Sequence, residues 1–125
     1  MIKIYRMQDA DGRGPWKPGF SKNWVEERDD FINLVPIFLQ CGMVFKEVLY
    51  GEYSGCGCET IEQAQRWFAP GEYEKLLSFK YQFVAMEVNR IITKTPIQLY
   101  FGRAIPMNQD FEIVNLYGEE KIIAK

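Results

Sequence analysis

A glycine- and proline-rich loop near the N-terminus carries residue types that suit ligand binding. It runs from Asp11 to Ser21 and includes Gly12, Arg13 and Trp16. Glycine lets a backbone approach a ligand closely, arginine binds phosphate or carboxylate, and tryptophan offers a flat face for stacking. The alternative is a rigid surface loop whose tryptophan packs onto a sheet. The loop matches neither Gly-x-Gly-x-x-Gly nor the P-loop pattern, so it predicts neither a Rossmann nor a Walker site.

Two polar residues on predicted strands are further candidates for a cleft. Arg6 lies within the alternating first strand, Ile2–Met7, and its side chain points either to solvent or into a cleft. Gln98 lies in the predicted strand Ile97–Ile105, opposite to the apolar side chains of that strand, and has the same two alternatives.

The cysteines offer a weaker signal. Cys56 and Cys58 precede a predicted helix, and a helix N-terminus lowers the pKa of a nearby thiol. The alternative is that both are small residues of a turn. The chain has three Cys and no His, so no imidazole is present as a base or a zinc ligand, and we expect no metal site. An odd count with a Cys-x-Cys pair suits free thiols in a reducing compartment.

Composition narrows the class of protein. The chain of 125 residues is 47% hydrophobic, which supplies enough apolar side chains for a core. Its charged fraction of 26% is ordinary for a folded protein and lower than is typical of a disordered one. The net charge of −2 argues against a dedicated nucleic-acid binder. The N-terminus shows no signal-peptide pattern, and the longest apolar run, Leu34–Leu39, is too short to span a bilayer. We therefore expect a cytoplasmic protein without a membrane segment.

The elements that must position these residues are strands and short helices. The pattern predicts one α+β domain over residues 1–125, mainly antiparallel sheet with two to three short helices. Thr60 begins a capping-box pattern, so a helix is expected from there to about Phe68. Before that helix we expect a helix from Ser21 or Asn23 that Asp29 extends as far as Pro36, then a strand Met43–Tyr53 and a turn Ser54–Cys58. After it we expect a helix Glu72–Phe79 that buries Tyr73, Leu76 and Leu77. The remaining expected elements are a strand Tyr81–Ile92, which pairs with Ile97–Ile105 as a hairpin, and a strand Phe111–Tyr117.

Three segments together carry a resemblance. They are Tyr5-Arg6 with the following Gly-Arg-Gly-Pro and Pro-Gly, the run from Cys56 to Phe68, and Pro96-Ile-Gln-Leu-Tyr-Phe101. Their arrangement resembles small proteins of bacteriophages and prophages and, more distantly, the ADP-ribosyltransferase-like fold.

The transferase resemblance implies roles for particular residues. Arg6 takes the position of the first-strand residue that contacts NAD, Ser54 or Cys58 the middle position, and Gln98 the third, so Arg6 and Gln98 are the implied catalytic residues. Tyr53 or Phe68 takes the place of the aromatic that stacks on nicotinamide. The family's Ser-Thr-Ser is absent, and its catalytic Glu is replaced by Gln, which cannot stabilise an oxocarbenium charge as a carboxylate does.

Three functions follow as hypotheses. The first is a phage-type accessory protein with a cleft for NAD or a related nucleotide, in which Arg6 and Arg13 hold the phosphates. The second is a non-enzymatic phage protein that binds and inhibits a host protein through aromatic anchors such as Trp16 and Trp24. The third is RNA or DNA binding through the loop, against which the net charge argues.

Overall fold

The computed structural model of the protein describes residues 2–15, 23–24 and 49–117. Within these residues the chain forms six strands and two helices. In chain order they are β1 (Ile2–Gln8), β2 (Tyr53–Gly57), α1 (Ile61–Trp67), α2 (Pro70–Ser78), β3 (Gln82–Val88), β4 (Arg90–Lys94), β5 (Leu99–Arg103) and β6 (Phe111–Ile113).

The strands form two antiparallel sheets of three strands each. The first has the order β1-β3-β6 and the second the order β2-β5-β4. An isolated antiparallel bridge between Tyr5 and Cys58 joins β1 to the end of β2, with the Tyr5 amide 2.9 Å from the Cys58 carbonyl. The predicted α+β class, with mainly antiparallel sheet and short helices, is confirmed.

Apolar side chains form two clusters on opposite faces of β1. One, on the face of Tyr5 and Met7, packs the sheets against the helices; its buried members are Met7, Trp24, Cys58, Ala64, Trp67, Phe68, Leu76, Tyr81, Phe83, Ile97 and Leu116. The other, on the face of Ile4, joins the two sheets and consists of Ile4, Val84, Met86, Val88, Leu99 and Phe101. All five residues of β5 are buried.

The helix boundaries follow from local capping. The Thr60 hydroxyl accepts a hydrogen bond from the Gln63 amide at 3.1 Å, so α1 begins where the capping pattern predicts. Pro70 occupies the first turn of α2, and the buried Glu72 carboxylate accepts from the Ala69 amide at 2.8 Å. The expectation that Leu77 is buried was wrong: only Leu76 of that pair faces the core, and Leu77 is exposed.

The expected turn Ser54–Cys58 was wrong, because most of that segment is strand β2. Its residues pair with β5 in the register Ser54↔Gly102 and Cys56↔Tyr100. Small residues are required there: a Cβ on Gly57 would lie 2.9 Å from the Tyr5 carbonyl oxygen. Glycine therefore marks a close approach of two strands and not a break between elements.

The expected strand Tyr81–Ile92 is two strands that belong to different sheets. The chain leaves β3 at Asn89, whose amide donates to the Gly102 carbonyl at 3.1 Å and whose side chain accepts from the Ala104 amide at 2.7 Å. β4 then pairs with β5, so the predicted hairpin exists but uses only the second half of the predicted strand.

Other expected elements lie outside the described residues. These are the predicted helix beyond Asn23 and Trp24 and the predicted strand Met43–Tyr53 up to position 48. Among the described residues, no helix has the length and apolar character needed to cross a membrane.

Candidate functional site

Three of the predicted ligand residues share one face of β2 and β5. Side chains alternate along a strand, so Ser54 and Cys56 lie on one face and Gly55 on the other. The register pairs Cys56 with Tyr100, and Gln98 alternates with Leu99 just before β5. We call the face that carries Ser54, Cys56, Cys58, Gln98 and Tyr100 the polar face.

A pair of hydroxyl groups lies on the polar face, where Ser54 is half-buried and Tyr100 is 4% exposed. The Ser54 Oγ and the Tyr100 hydroxyl lie 2.6 Å apart, and either atom can be the donor. Burial raises the pKa of Tyr100, so its phenol stays protonated at neutral pH. Tyr100 is absent from the residues predicted as a site, although the two-residue alternation that singles out Gln98 also includes it.

An ion pair borders the polar face beyond the hydroxyl pair. Glu52 binds Arg90 through both carboxylate oxygens, at 2.9 Å each, and also accepts from the Leu49 amide. Hydrogen bonding to Arg90 lowers the pKa of Glu52. The carboxylate lies against Gly102, where a Cβ would collide with it. This pair ties β4 to the start of β2 across β5.

The inner end of the polar face is closed by the core. Cys58 and Gln98 are both 6% exposed, and Cys58 belongs to the apolar cluster under the helices. Burial raises the pKa of Cys58 to about 12. Desolvation also raises the pKa of Cys56 to about 11, although nearby Arg6 opposes the shift. Both thiols are therefore protonated at neutral pH, contrary to the lowering that a helix N-terminus suggests.

The two predicted stacking aromatics occupy different environments. Phe68 is buried, packs against Trp24 with ring centroids 5.6 Å apart, and is part of the core. Tyr53 begins β2, is 46% exposed, and by alternation leaves the sheet on the side opposite to Ser54. Trp24, expected as an exposed anchor for a partner, is fully buried and donates to the Pro15 carbonyl.

Arg6 lies on the other side of β2. Its guanidinium donates to the Cys56 carbonyl at 3.3 Å and the Gly12 carbonyl at 3.0 Å, and stands over the Phe101 ring at 5.7 Å. It fills the space left by the missing side chain of Gly55. Burial lowers the pKa of Arg6 to about 10, which leaves it charged at neutral pH.

The described part of the glycine-rich loop is closed by hydrogen bonds around Asp9. The Asp9 carboxylate accepts from the amides of Asp11 and Arg13, each at 3.0 Å, and the Asp9 amide donates to the Arg13 carbonyl. Gly12 has a φ of +83°, which favours glycine. Arg13 is exposed at the tip of the loop, and Trp16 lies outside the described residues.

The structure thus brings the predicted residues together in two groups. Ser54, Cys58 and Gln98 lie on the polar face, while Arg6 and the loop meet on the opposite face of the same sheet. The backbone of β2 separates Arg6 from Gln98. Among the described residues, no three His, Cys, Asp or Glu side chains lie close enough together to hold a metal ion.

A groove elsewhere on the surface contains none of the predicted residues. Its volume is about 660 Å³, and it lies between the first sheet and the chain that follows β5. Its charged lining residues are Lys3, Glu87, Arg103, Asp110 and Glu112. The polar face is therefore identified as the candidate site by the side chains that converge on it and not by a cavity in the surface.

Comparison with known proteins identifies the family of the chain. No curated protein and no solved structure matches it, so the resemblance to the ADP-ribosyltransferase-like fold stays a prediction. One family model, described as the bacteriophage T4 Y00F protein, matches residues 1–105. That match covers β1 to β5 and most of the chain, including every residue of the polar face. The protein belongs to the bacteriophage T4 Y00F protein family.

Proposed function

We propose that this phage protein binds NAD or a related nucleotide at the polar face. The observation that carries the proposal is the hydroxyl pair of Ser54 and Tyr100 on the same strand face as Gln98. Hydroxyl and amide groups fixed on neighbouring strands are the kind of polar groups that orient a sugar or an amide in a binding site. The loop that carries the exposed Arg13 meets Arg6 on the opposite face of the sheet, so a phosphate contact from Arg13 stays a separate prediction.

The chemistry of the described residues favours binding over catalysis. The pKa values of both thiols on the polar face are raised, so neither thiol is activated as a nucleophile at neutral pH. Gln98 has no charge with which to stabilise a developing cation. We therefore propose a nucleotide-binding protein in which Gln98 orients the ligand.

Arg6 has a different part in this proposal from the one that the resemblance implies. Its two terminal nitrogens are engaged by main-chain carbonyls of β2 and of the loop. Arg6 is then a positioning residue that fixes β2 relative to Gly12 of the loop. Direct contact between Arg6 and NAD stays a prediction.

Calorimetric titration with NAD and with ADP-ribose tests the proposal. Tyr100→Phe removes one hydroxyl and keeps the ring, so affinity is expected to fall about tenfold, the value of one hydrogen bond. Arg13→Ala tests the separate prediction of a phosphate contact, which would weaken binding of both ligands similarly. Arg66→Ala, on the exposed side of α1, is the matched control and leaves binding unchanged. Absence of binding by the parent protein, or equal binding by all variants, contradicts the proposal.

A second function is favoured by a different surface. Leu49, Tyr50 and Tyr53 expose apolar side chains around the turn that precedes β2, and Tyr50 is fully exposed. Exposed tyrosine and leucine side chains grouped on one turn suit a contact with another protein. We propose host-protein binding through this turn as the alternative to nucleotide binding.

Affinity capture from host lysate tests the alternative with a matched control. Tyr50→Ala removes the most exposed aromatic of the turn and is expected to abolish capture of any specific host protein. Phe79→Ala removes an exposed aromatic after α2 and is expected to leave capture intact. Equal loss in both variants, or capture insensitive to Tyr50, counts against the turn as the contact surface.

A further inference from the structure

Two buried polar atoms on β1 lack a hydrogen-bond partner within the described part of the chain. They are the Nε of Arg6, which is a donor, and the Oε1 of Gln8, which is an acceptor. Arg6 is 8% exposed and Gln8 is 2% exposed, so bulk solvent does not satisfy either atom. Buried polar groups in folded proteins are nearly always hydrogen-bonded, so these two atoms point to a further molecule at this place.

The two side chains leave the same face of β1, and each donates to one of two segments that touch each other. They are two residues apart on a strand, so their Cα atoms are separated by about 7 Å along β1. The Arg6 Nη2 donates to the Gly12 carbonyl at 3.0 Å, and the Gln8 Nε2 donates to the Met107 carbonyl at 2.9 Å. Gly12 and Met107 touch, since a Cβ on Gly12 would lie 2.7 Å from the Met107 Cβ.

The hydrogen-bonding character of these two atoms indicates which kind of molecule fits between them. The bond to the Met107 carbonyl fixes the Gln8 amide with its nitrogen on that side, so Oε1 is an acceptor for something else. An anion would satisfy Arg6 but would meet the partial negative charge of the Gln8 oxygen. A cation would satisfy Gln8 but would meet the guanidinium. A neutral molecule that both donates and accepts satisfies both atoms.

We propose that one buried water molecule bridges the Arg6 Nε and the Gln8 Oε1. It accepts from Arg6 and donates to Gln8, and so links two side chains of β1 whose other nitrogens hold the glycine-rich loop and the segment that contains Met107. The site is independent of the polar face, because it lies on the face of β1 that carries Ile4.

A high-resolution crystal structure of the full chain is the first test. The expected result is a density peak within about 2.7–3.2 Å of both atoms, the distance of a normal hydrogen bond. Density for an anion at this place, another side chain in contact with both atoms, or a direct bond from Nε to Oε1 overturns the proposal.

Oxygen-17 magnetic relaxation dispersion gives the second test, because it counts long-lived water molecules in solution. Gln8→Met keeps the length of the side chain but removes the acceptor, so the count is expected to fall by one. Gln82→Met is the matched control: Gln82 stands opposite Gln8 in the β1–β3 register and is exposed, so the count stays the same. An unchanged count in folded Gln8→Met overturns the proposal. If that variant does not fold, the crystal structure of the parent protein decides.

Discussion

Arg103 shows how one buried side chain organises a segment of this protein. Its guanidinium donates to four main-chain carbonyls: Glu87 at 3.0 Å, Pro106 at 2.8 Å, Gln109 at 2.7 Å and Asp110 at 2.6 Å. The planar fork of arginine reaches several acceptors at once, which a lysine ammonium cannot do from the same place. Arg103 thereby holds the chain between β5 and β6 against β3.

Arg103→Lys is expected to destabilise the protein by about 2–3 kcal/mol, because hydrogen bonds from a charged donor are lost within a buried site. Urea unfolding measures the change. Arg13→Lys, at the exposed tip of the loop, is the control and should be neutral. Equal stabilities of the two variants would show that Arg103 does not hold the segment.

The buried Cys58 thiol is expected to make the free energy of unfolding depend on pH in the alkaline range. The folded thiol keeps its proton up to a pKa of about 12, whereas the unfolded thiol loses it near 9.0. The folded state then binds more protons, so the free energy of unfolding falls as pH rises above about 9, by up to about 1.4 kcal/mol per pH unit from this group. Urea unfolding under reducing conditions, compared with Cys58→Ala, measures it: the variant should show the shallower decline. Parallel declines would contradict the assignment.

At the scale of elements, the N-cap of α1 is the clearest local signal. Thr60→Ala removes the acceptor for the Gln63 amide and is expected to cost about 1 kcal/mol of stability. Thr60→Ser keeps the hydroxyl and should retain most of that stability. Thermal unfolding of both variants measures the difference, and an equal loss in both would locate the effect in the threonine methyl group.

The lack of a side chain at Gly102 leaves room for the Glu52–Arg90 ion pair on the second sheet. A Cβ at this position would overlap the Glu52 carboxylate, so Gly102→Ala is expected to displace the Glu52–Arg90 pair and to cost about 1–3 kcal/mol. A double-mutant cycle with Glu52→Ala isolates the cause, because Gly102→Ala should then cost much less. Additive losses in urea unfolding would place the strain elsewhere.

Elements with local signals were predictable and those held by distant contacts were not. β1 and α1 follow from alternation and capping, whereas α2 was expected from Glu72 and begins two residues earlier, at Pro70. β2 was missed because Ser-Gly-Cys-Gly has no strand propensity, and only its pairing with β5 extends it. The switch of sheets at Asn89 was also missed, since it depends on hydrogen bonds to Gly102 and Ala104.

The candidate site was likewise predictable only where a local sequence pattern determines it. Strand alternation indicates that Gln98 is set apart from the apolar face, and the same rule includes Tyr100. No local pattern shows that Arg6 and Gln98 lie on opposite sides of β2, because that depends on how β1 meets β2 at the single Tyr5–Cys58 bridge. The roles taken from the resemblance therefore separate into two groups in the folded chain.

At the scale of the whole molecule, membership of the Y00F family and the architecture of two joined sheets support a small phage protein with one organised polar face. The second sheet supplies that face, and the first sheet supplies Arg6 behind it. The central claim is that ligand recognition occurs where β2 and β5 pair.

Titration of NAD into isotope-labelled protein, followed by amide chemical shifts in NMR, tests this claim most directly. Saturable shifts are expected, and they are expected to be concentrated at Ser54, Cys56 and Tyr100. Shifts confined to the Leu49–Tyr53 turn, shifts confined to the groove lined by Glu87 and Asp110, or no shifts at all would contradict it.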